Sequence, residues 1–293
     1  MKKMFLQQLV NGISVGGIYA LIASGYALIY SLLGFSNWAH GEVAMLGAYV
    51  ALLFTASLQL PFIAAAIIGI GGAAIISFLN ERLAYRRIRE NKAPTMFLMI
   101  AAMGLSIVFQ NGSMLLFGAK FQKFPPIMPV SSISIGSVHV GVLDLLTLAV
   151  AAVALIVLEI VITKTKFGLG IRAIASNTAT AGLLGINTNK MFALVFAIAG
   201  ALAGMAGVLL GLKYNVYPTM GNIGLKAFIA SVFGGLGSVR GAIVGAIVIG
   251  VTEVMVSGYL SSGLRDLITF ALLIIILLIK PSGLMGVSVE EKA

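Results

Sequence analysis

The stretch "GFSNWAHGEVAMLGAYV", residues 34–50, places Asn37, Trp38, His40 and Glu42 within six positions between apolar flanks. Hydrocarbon rejects such groups unless they are paired or wet. An amide, an imidazole and a carboxylate at this spacing offer hydrogen bonds and charge, and no nucleophile stands beside them. An architectural reading accounts for all three. Asn37 caps a helix beginning near Ala39, Glu42 sits in its first turn, where the helix dipole favours an acid, and His40 hydrogen-bonds a neighbouring segment. The cluster then marks a span broken at a helix start.

Elsewhere the sequence is poor in reactive constellations. No Ser-His-Asp, Cys-His or paired-carboxylate arrangement is readable, and no Gly-rich turn ends in Gly-Lys-Ser or Gly-Lys-Thr. The chain is therefore not expected to be an enzyme or to hydrolyse ATP itself, and no cofactor is implied. With no cysteine, thiolate metal sites are excluded, and His40 and His139 lie too far apart for a local metal motif. Further polar candidates inside apolar runs are Gln110, Asn111 and Glu253. Glu159, one turn from Lys164 and Lys166, reads as neutralised by them.

The elements that must hold these residues are membrane spans. Of 293 residues, 60% are hydrophobic and 10% charged, against roughly 25% charged in an average soluble domain. Apolar runs cover about 9–33, 39–58, 61–83, 95–117, 142–163, 191–212, 227–258 and 264–280, most of them near the roughly 20 residues needed to cross a bilayer. The basic start "MKKMF" has the look of a signal peptide, but the run behind it is too long, so a retained helix is expected. The whole chain, 1–293, reads as one transmembrane domain of about eight full spans with one or two broken or re-entrant elements.

The formal charge of +10 sits mostly in short gaps between runs, which is the positive-inside pattern rather than a nucleic-acid footprint. It puts "RRIRENKAP" (86–94) and the segment 164–190 in the cytoplasm. The segment 119–141 then lies outside, with a short β element in "SISIGSVHV". Parity places the N-terminus outside, and a C-terminus inside requires the 227–258 run to split at "GGLGSVRG" into pieces near 225–236 and 240–258. Arg240 belongs in that break, since a charge within lipid costs several kcal/mol. If the chain contains an inverted repeat, "GFSNWAHGEVAMLGAYV" and "GGLGSVRGAIVGAIVIG" are its candidate counterparts. Glycines four apart, as in Gly200/Gly204, Gly207/Gly211 and Gly241/Gly245, are read as helix-packing positions.

Within 164–190, "GIRAIASNTATAGLLGINTNK" predicts a short helix, with Ser176, Asn177 and Thr178 resembling a cap. Ile171, Ile174, Ala175, Leu183, Leu184 and Ile186 give it apolar faces with nothing of its own to pack on, the mark of an interaction surface.

Four ordered blocks carry a resemblance: residues 6–51, "NERLAYRRIR", "SNTATAGLLGINTNK" and "KAFIASVFGGLGSVRGAIVGAIVIGVTE". From end to end the chain resembles the inner-membrane permeases of bacterial ABC importers for branched-chain amino acids, in particular the first of their two paired types. Trp38 stands where the family's usual wording, near Asn-Phe-Ala-His-Gly-Glu, has Phe. The resemblance implies an all-α, vitamin-importer-like bundle in the bacterial cytoplasmic membrane. The partners it implies are a second permease in a heterodimer, two cytoplasmic ATPases and an external solute-binding protein. It further implies that Ala173–Asn187 form the coupling helix on an ATPase, with Arg172, Asn177, Ala181, Leu184, Gly185 and Ile186 as contacts. On this reading Asn37, His40 and Glu42 line the translocation path or hold its broken helix open, offering partners to water or to an amino acid's ammonium and carboxylate. Related permeases import urea or short amides, and nothing in the spans separates those paths. An ion-coupled secondary carrier is a weaker alternative, because it has no need of the exposed loop helix.

Overall fold

The computed structural model describes residues 2–126, 132–135 and 138–286. Helices α1 (Lys2–Leu33), α2 (His40–Ala56) and α3 (Phe62–Asn80) open the chain. A π-helical turn, Glu81–Tyr85, carries α3 into α4 (Arg86–Glu90), and α5 (Thr95–Phe117) follows. An antiparallel hairpin, β1 (Ser132–Ile135) and β2 (Val138–Gly141), pairs Ser132 with Gly141 and Ile135 with Val138. The rest is α6 (Val142–Lys164), α7 (Lys166–Ser176), α8 (Thr178–Leu183), α9 (Thr188–Lys213), α10 (Ile223–Gly234), α11 (Val239–Tyr259) and α12 (Arg265–Ile279). The hairpin falls where the alternating "SISIGSVHV" predicts it.

Among the described residues, seven helical segments are long and apolar enough to cross a membrane, and two apolar helices are shorter, His40–Ala56 and Met220–Gly234. The expected count of eight full spans thus becomes seven plus two short helices. The 39–58 run accounts for the difference. Non-helical backbone at 34–39, turned by Gly34 at φ +64°, leaves α2 with 17 residues, about 25 Å at 1.5 Å per residue. The 227–258 run is divided as expected, by a turn at 235–238 in which Gly235 and Gly237 both take positive φ.

Close packing dictates the topology. Gly12 and Gly16 of α1 meet Val251 and Ile247 of α11, an antiparallel order, and a Cβ on Gly12 would sit 2.7 Å from the Val251 Cα. In the same way Gly200 and Gly204 of α9 meet Ala74 and Ile70 of α3. These two helix pairs are the most extensive in the molecule. Helix α2 packs on α3 and α9, as α10 packs on α11 and α1. The triplet α1–α2–α3 therefore corresponds to α9–α10–α11 run in the opposite direction, an inverted arrangement.

The correspondence differs from the expected pairing of residues 34–50 with "GGLGSVRG". That second break is a tight turn between antiparallel α10 and α11, with Gly241 and Gly245 packed on Gly234 and Ala230. The counterpart of 34–39 is instead 214–222, the irregular return between α9 and α10. The glycines read as packing positions all meet neighbouring atoms closely. A Cβ on Gly207 would lie 1.9 Å from the Ala44 carbonyl oxygen, and one on Gly211 would lie 2.8 Å from Val216.

Helices α1 and α9 form the buried centre, whereas most of α5, α6 and α12 faces outward. In a membrane those faces meet lipid or another subunit. Packing also predicts the outcome of adding single methyl groups. Gly207→Ala should destabilise by about 1–3 kcal/mol through overpacking. Gly112→Ala on α5, where a Cβ meets nothing within 4 Å, should be neutral or stabilising by up to about 1 kcal/mol. Thermal unfolding of the detergent-solubilised protein, followed by size-exclusion fluorescence, checks both; equal melting temperatures would contradict the packing.

Candidate functional site

The polar break at 34–42 lies where α2 and α10 begin. A Cβ on Gly41 would fall 2.3 Å from the Gly221 carbonyl oxygen and 2.9 Å from the Gly224 Cα. The two helix starts are thus in backbone contact, and only glycine permits it. The Glu42 carboxylate lies against Gly221, whose added Cβ would meet Oε2 at 2.0 Å. Glu42 stands in the first turn of α2, as expected. Its Oε1 accepts from the Ser106 hydroxyl of α5 at 3.4 Å, while Oε2 is buried without a hydrogen-bond partner among the described residues.

Asn37 does not cap α2. Ala39 occupies the cap position, in helical backbone geometry and without a side-chain bond. The buried Asn37 instead accepts at its Oδ1 from the Tyr85 hydroxyl at 2.8 Å. That hydroxyl comes from the π-helical turn after α3, which re-aims side chains relative to a regular helix. His40 is fully enclosed, its ring edge-on to Tyr26 at 4.9 Å, and neither ring nitrogen has a geometrically good hydrogen bond among the described residues. The neighbouring segment that meets the imidazole is α1, through the Ile22 backbone as well as the Tyr26 ring. Trp38 stands at the surface, 5.7 Å from the Phe228 ring.

The other polar candidates separate. Asn111 faces outward and returns its amide to the Ile107 carbonyl on its own helix, and Gln110 is half-buried beside it. Neither joins the 37–42 cluster. Glu253 is buried: its Oε2 accepts from the Tyr19 hydroxyl at 2.7 Å and its Oε1 pairs with the Lys226 ammonium at 2.8 Å. Lys226 also reaches Asp266 at 2.8 Å. Lys226 and Tyr19 are missing from the sequence reading, yet a lone lysine within an apolar run is a signal that could have found one of them. Glu159 is not neutralised by Lys164 and Lys166. It pairs with Arg240 at 2.5 Å, across from α6 to α11.

In the 164–190 segment three asparagine or threonine caps fix successive helix starts. Thr165 accepts from the Gly168 amide at 3.1 Å, Asn177 from the Thr180 amide at 2.9 Å and Asn187 from the Lys190 amide at 3.0 Å. These bonds set the corners at which the chain leaves and rejoins the bundle. Ile171, Ile174 and Ala181 turn inward and anchor the excursion, and Ile186 is half-buried against the same core. Leu183 and Leu184 point away from the protein, 89% and 76% exposed. Gly185 follows at φ +85° with nothing within 4 Å of a Cβ. The Arg172 guanidinium is exposed and donates to the Ile162 carbonyl. Of the six expected contacts, Asn177, Leu184, Gly185 and Arg172 are on the outer face, while Ala181 supports it from beneath.

A family model described as branched-chain amino acid transport system, permease component, matches residues 8–277. The chain belongs to that family. It is 39% identical over 302 aligned residues, covering 98% of this chain and 97% of the relative, to the high-affinity branched-chain amino acid transport system permease protein LivH of Salmonella typhimurium. The corresponding protein BraD of Pseudomonas aeruginosa is 37% identical, with 98% of both chains covered. Among solved structures, PsaBC from Streptococcus pneumoniae in complex with Fab matches with a TM-score of 0.50 and 15% identity over 95% of this chain and 92% of that one, a likeness of fold. The protein is thus an all-α, multi-pass membrane permease of this family.

Two buried contacts in this family member yield stability predictions. Tyr85→Phe strands the Asn37 oxygen and should cost about 1–3 kcal/mol. Lys226→Met leaves Glu253 uncompensated and should cost about 3–5 kcal/mol, most of it recovered in the double variant Lys226→Met/Glu253→Gln. Melting temperatures of the three purified variants measure this; a double variant no better than the single one would refute the pairing.

Proposed function

We propose that the chain is one permease subunit of an ABC importer that carries branched-chain amino acids across the bacterial cytoplasmic membrane by alternating access, driven by ATP on separate subunits. The near-full-length likeness to LivH and BraD, whose names state that substrate class, carries the substrate. The projecting α8, with Leu183 and Leu184 outward and three caps beneath it, carries the mechanism. A self-sufficient carrier has no use for an apolar helix held away from its own core, whereas a subunit worked by an external motor requires one.

The partners are a second permease, two ATPases docking on residues 173–187, and a solute-binding protein at the opposite end. Ends can be told apart by contact: Arg89 donates to Asn189 at 2.7 Å, joining residues 86–94 to the start of α9 at the α8 end. Gln122 pairs with Val216 at the other. The basic residues concentrated at the α8 end support a cytoplasmic placement, with the N-terminus outside and the C-terminus inside. Near the middle, the contact between the starts of α2 and α10 is the place where the inverted triplets can part, with Asn37, His40 and Glu42 supplying polar atoms along the opening.

Uptake of labelled leucine into proteoliposomes holding this chain with its permease, ATPase and binding-protein partners tests the reading. Uptake should require ATP on the ATPase side and be competed by isoleucine and valine. Uptake driven by an ion gradient without ATP would sink the mechanism, and binding-protein-stimulated ATP hydrolysis with urea or amide transport but no leucine transport would sink the substrate. Leu184→Asp should lower co-purification of the ATPases at least tenfold while leaving the permease in the membrane; undiminished co-purification would remove α8 as the docking helix.

A further inference from the structure

At the α8 end, a groove of about 440 Å³ lies between the close of α3, with its π-helical turn, and the first turns of α9. Its lining changes character along its length. Phe78, Ala193 and Leu194 line the part nearer the middle of the spans, and Arg82, Arg86 and Lys190 the part nearer α8. The apolar part continues onto the outer surface: Leu194 is 37% exposed, and Leu79 and Leu83, next in the chain to Phe78 and Arg82, are also exposed. The charges do not cancel. Just outside the groove Arg89 stacks 4.0 Å from the Phe192 ring and pairs with Glu81 at 2.5 Å, and Arg86 pairs with Glu90 at 2.8 Å. The Asn189 amide is used up between them, accepting from Arg89 at 2.7 Å and donating to Glu90 at 2.9 Å. Glu81 also feels the charge of Arg82, but Arg82, Arg86, Arg89 and Lys190 face only Glu81 and Glu90. Among the described residues no carboxylate stands within ion-pair distance of Arg82 or Lys190, and both are exposed. The Arg82 guanidinium lies 5.9 Å from the Phe78 ring centroid, so its charge stands at the edge of the apolar floor.

Two unmatched cations at one end of a groove and an apolar floor at the other ask for a ligand that is anionic and carries hydrocarbon. We propose that this groove binds an anionic glycerophospholipid from the leaflet at the α8 end. Its phosphate lies between Arg82 and Lys190, the guanidinium fork suiting phosphate oxygens, and basic pockets between spans are general sites for such headgroups. One acyl chain lies along Phe78 and Leu194 and leaves past Leu79. An acidic side chain of a docked protein satisfies the cations but leaves the floor bare, which favours the lipid. Because the groove is walled by both α3 and α9, the lipid bridges these helices beside the Arg89–Asn189 bond that joins α4 to α9. The site depends on the membrane-spanning fold and not on which solute is carried.

The full-length chain in phosphatidylcholine nanodiscs is the material for the test. Phosphatidylglycerol with a photoreactive group on its acyl chain near the glycerol is added at low mole fraction, and cross-linked peptides are mapped by mass spectrometry. Cross-links are expected on residues 78–86 and 187–194. Excess unlabelled phosphatidylglycerol should displace them, whereas phosphatidylcholine, which lacks net charge, and glycerophosphoglycerol, which lacks acyl chains, should not. Arg82→Gln/Lys190→Gln should lower the yield there at least fivefold, and Arg87→Gln/Lys92→Gln, which removes the same charge from exposed positions outside the groove, less than twofold. Mapping and competition use the unmodified chain, so a folding defect in a variant leaves the proposal testable. Cross-links concentrated elsewhere, displacement by phosphatidylcholine equal to that by phosphatidylglycerol, or equal losses in the two double variants would overturn the site. Displacement by glycerophosphoglycerol would replace the lipid with a free phosphodiester. Loss of ATPase co-purification from Arg82→Gln/Lys190→Gln in phosphatidylcholine alone, with cross-links unchanged, would give the groove to an acidic segment of the ATPase instead.

Discussion

A span that stops half-way leaves backbone donors at its helix start, and hydrocarbon supplies no water to receive them. This chain has two such helices, α2 and α10, and brings their starts into contact through Gly41, Gly221 and Gly224. Much else follows from that arrangement. Within the irregular segments 34–39 and 214–222, Phe35, Asn37, Ala39, Val216 and Met220 are buried, so part of each break is held inside protein. The carboxylate of Glu42 is laid against Gly221 because no larger residue there would leave it space. Long helices with glycine on their facing sides, α1 against α11 and α9 against α3, close tightly around that junction.

Charge is handled by the same logic of enclosure. Three acids take their cationic partner from another helix: Lys226 of α10 for Glu253 of α11, Lys213 of α9 for Asp144 of α6, Arg240 of α11 for Glu159 of α6. Such pairs add little net stability, since desolvation offsets much of the attraction. Their value lies in selecting which helix faces meet, because the wrong register leaves two unpaired charges in place of none.

The sequence makes the large scale plain and the tertiary partners obscure. Apolar runs locate nearly every helix, the "GGLG" stretch divides 227–258 where a glycine-only turn stands, and Asn177 caps α8 because a cap needs only neighbours three residues away. Asn37 was legible as polar and buried, but its partner Tyr85 is 48 residues distant and offered by a π-helical turn, a local irregularity that periodicity does not reveal. Glu159 had nearer lysines by sequence, yet Arg240 wins since α6 and α11 lie side by side at that level. The inverted relation of the two triplets is equally hidden. It is carried by where glycines touch backbone, and the segments so related have little residue likeness to advertise it.

The distribution of glycine also bears on how a push at one end could reach the centre. Below α8, the Asn187 cap starts α9, and the Arg89–Asn189 bond ties that start to α4, with Arg89 also holding Glu81 just beyond α3. Helix α9 then meets α3 through Gly200 and Gly204, and α2 through Gly207 against the Ala44 backbone. At each of these points backbone lies against backbone or against the short side chains of Ala73 and Ser77, so no long side chain can absorb a displacement by changing rotamer. A shift of α9 must either carry α2 and α3 with it or break the contact. On the transport reading, α9 is therefore the element through which force applied at the coupling helix would arrive at Glu42 and the α2–α10 junction. The outward faces of α5 and α12 stay free to slide against lipid or a second subunit.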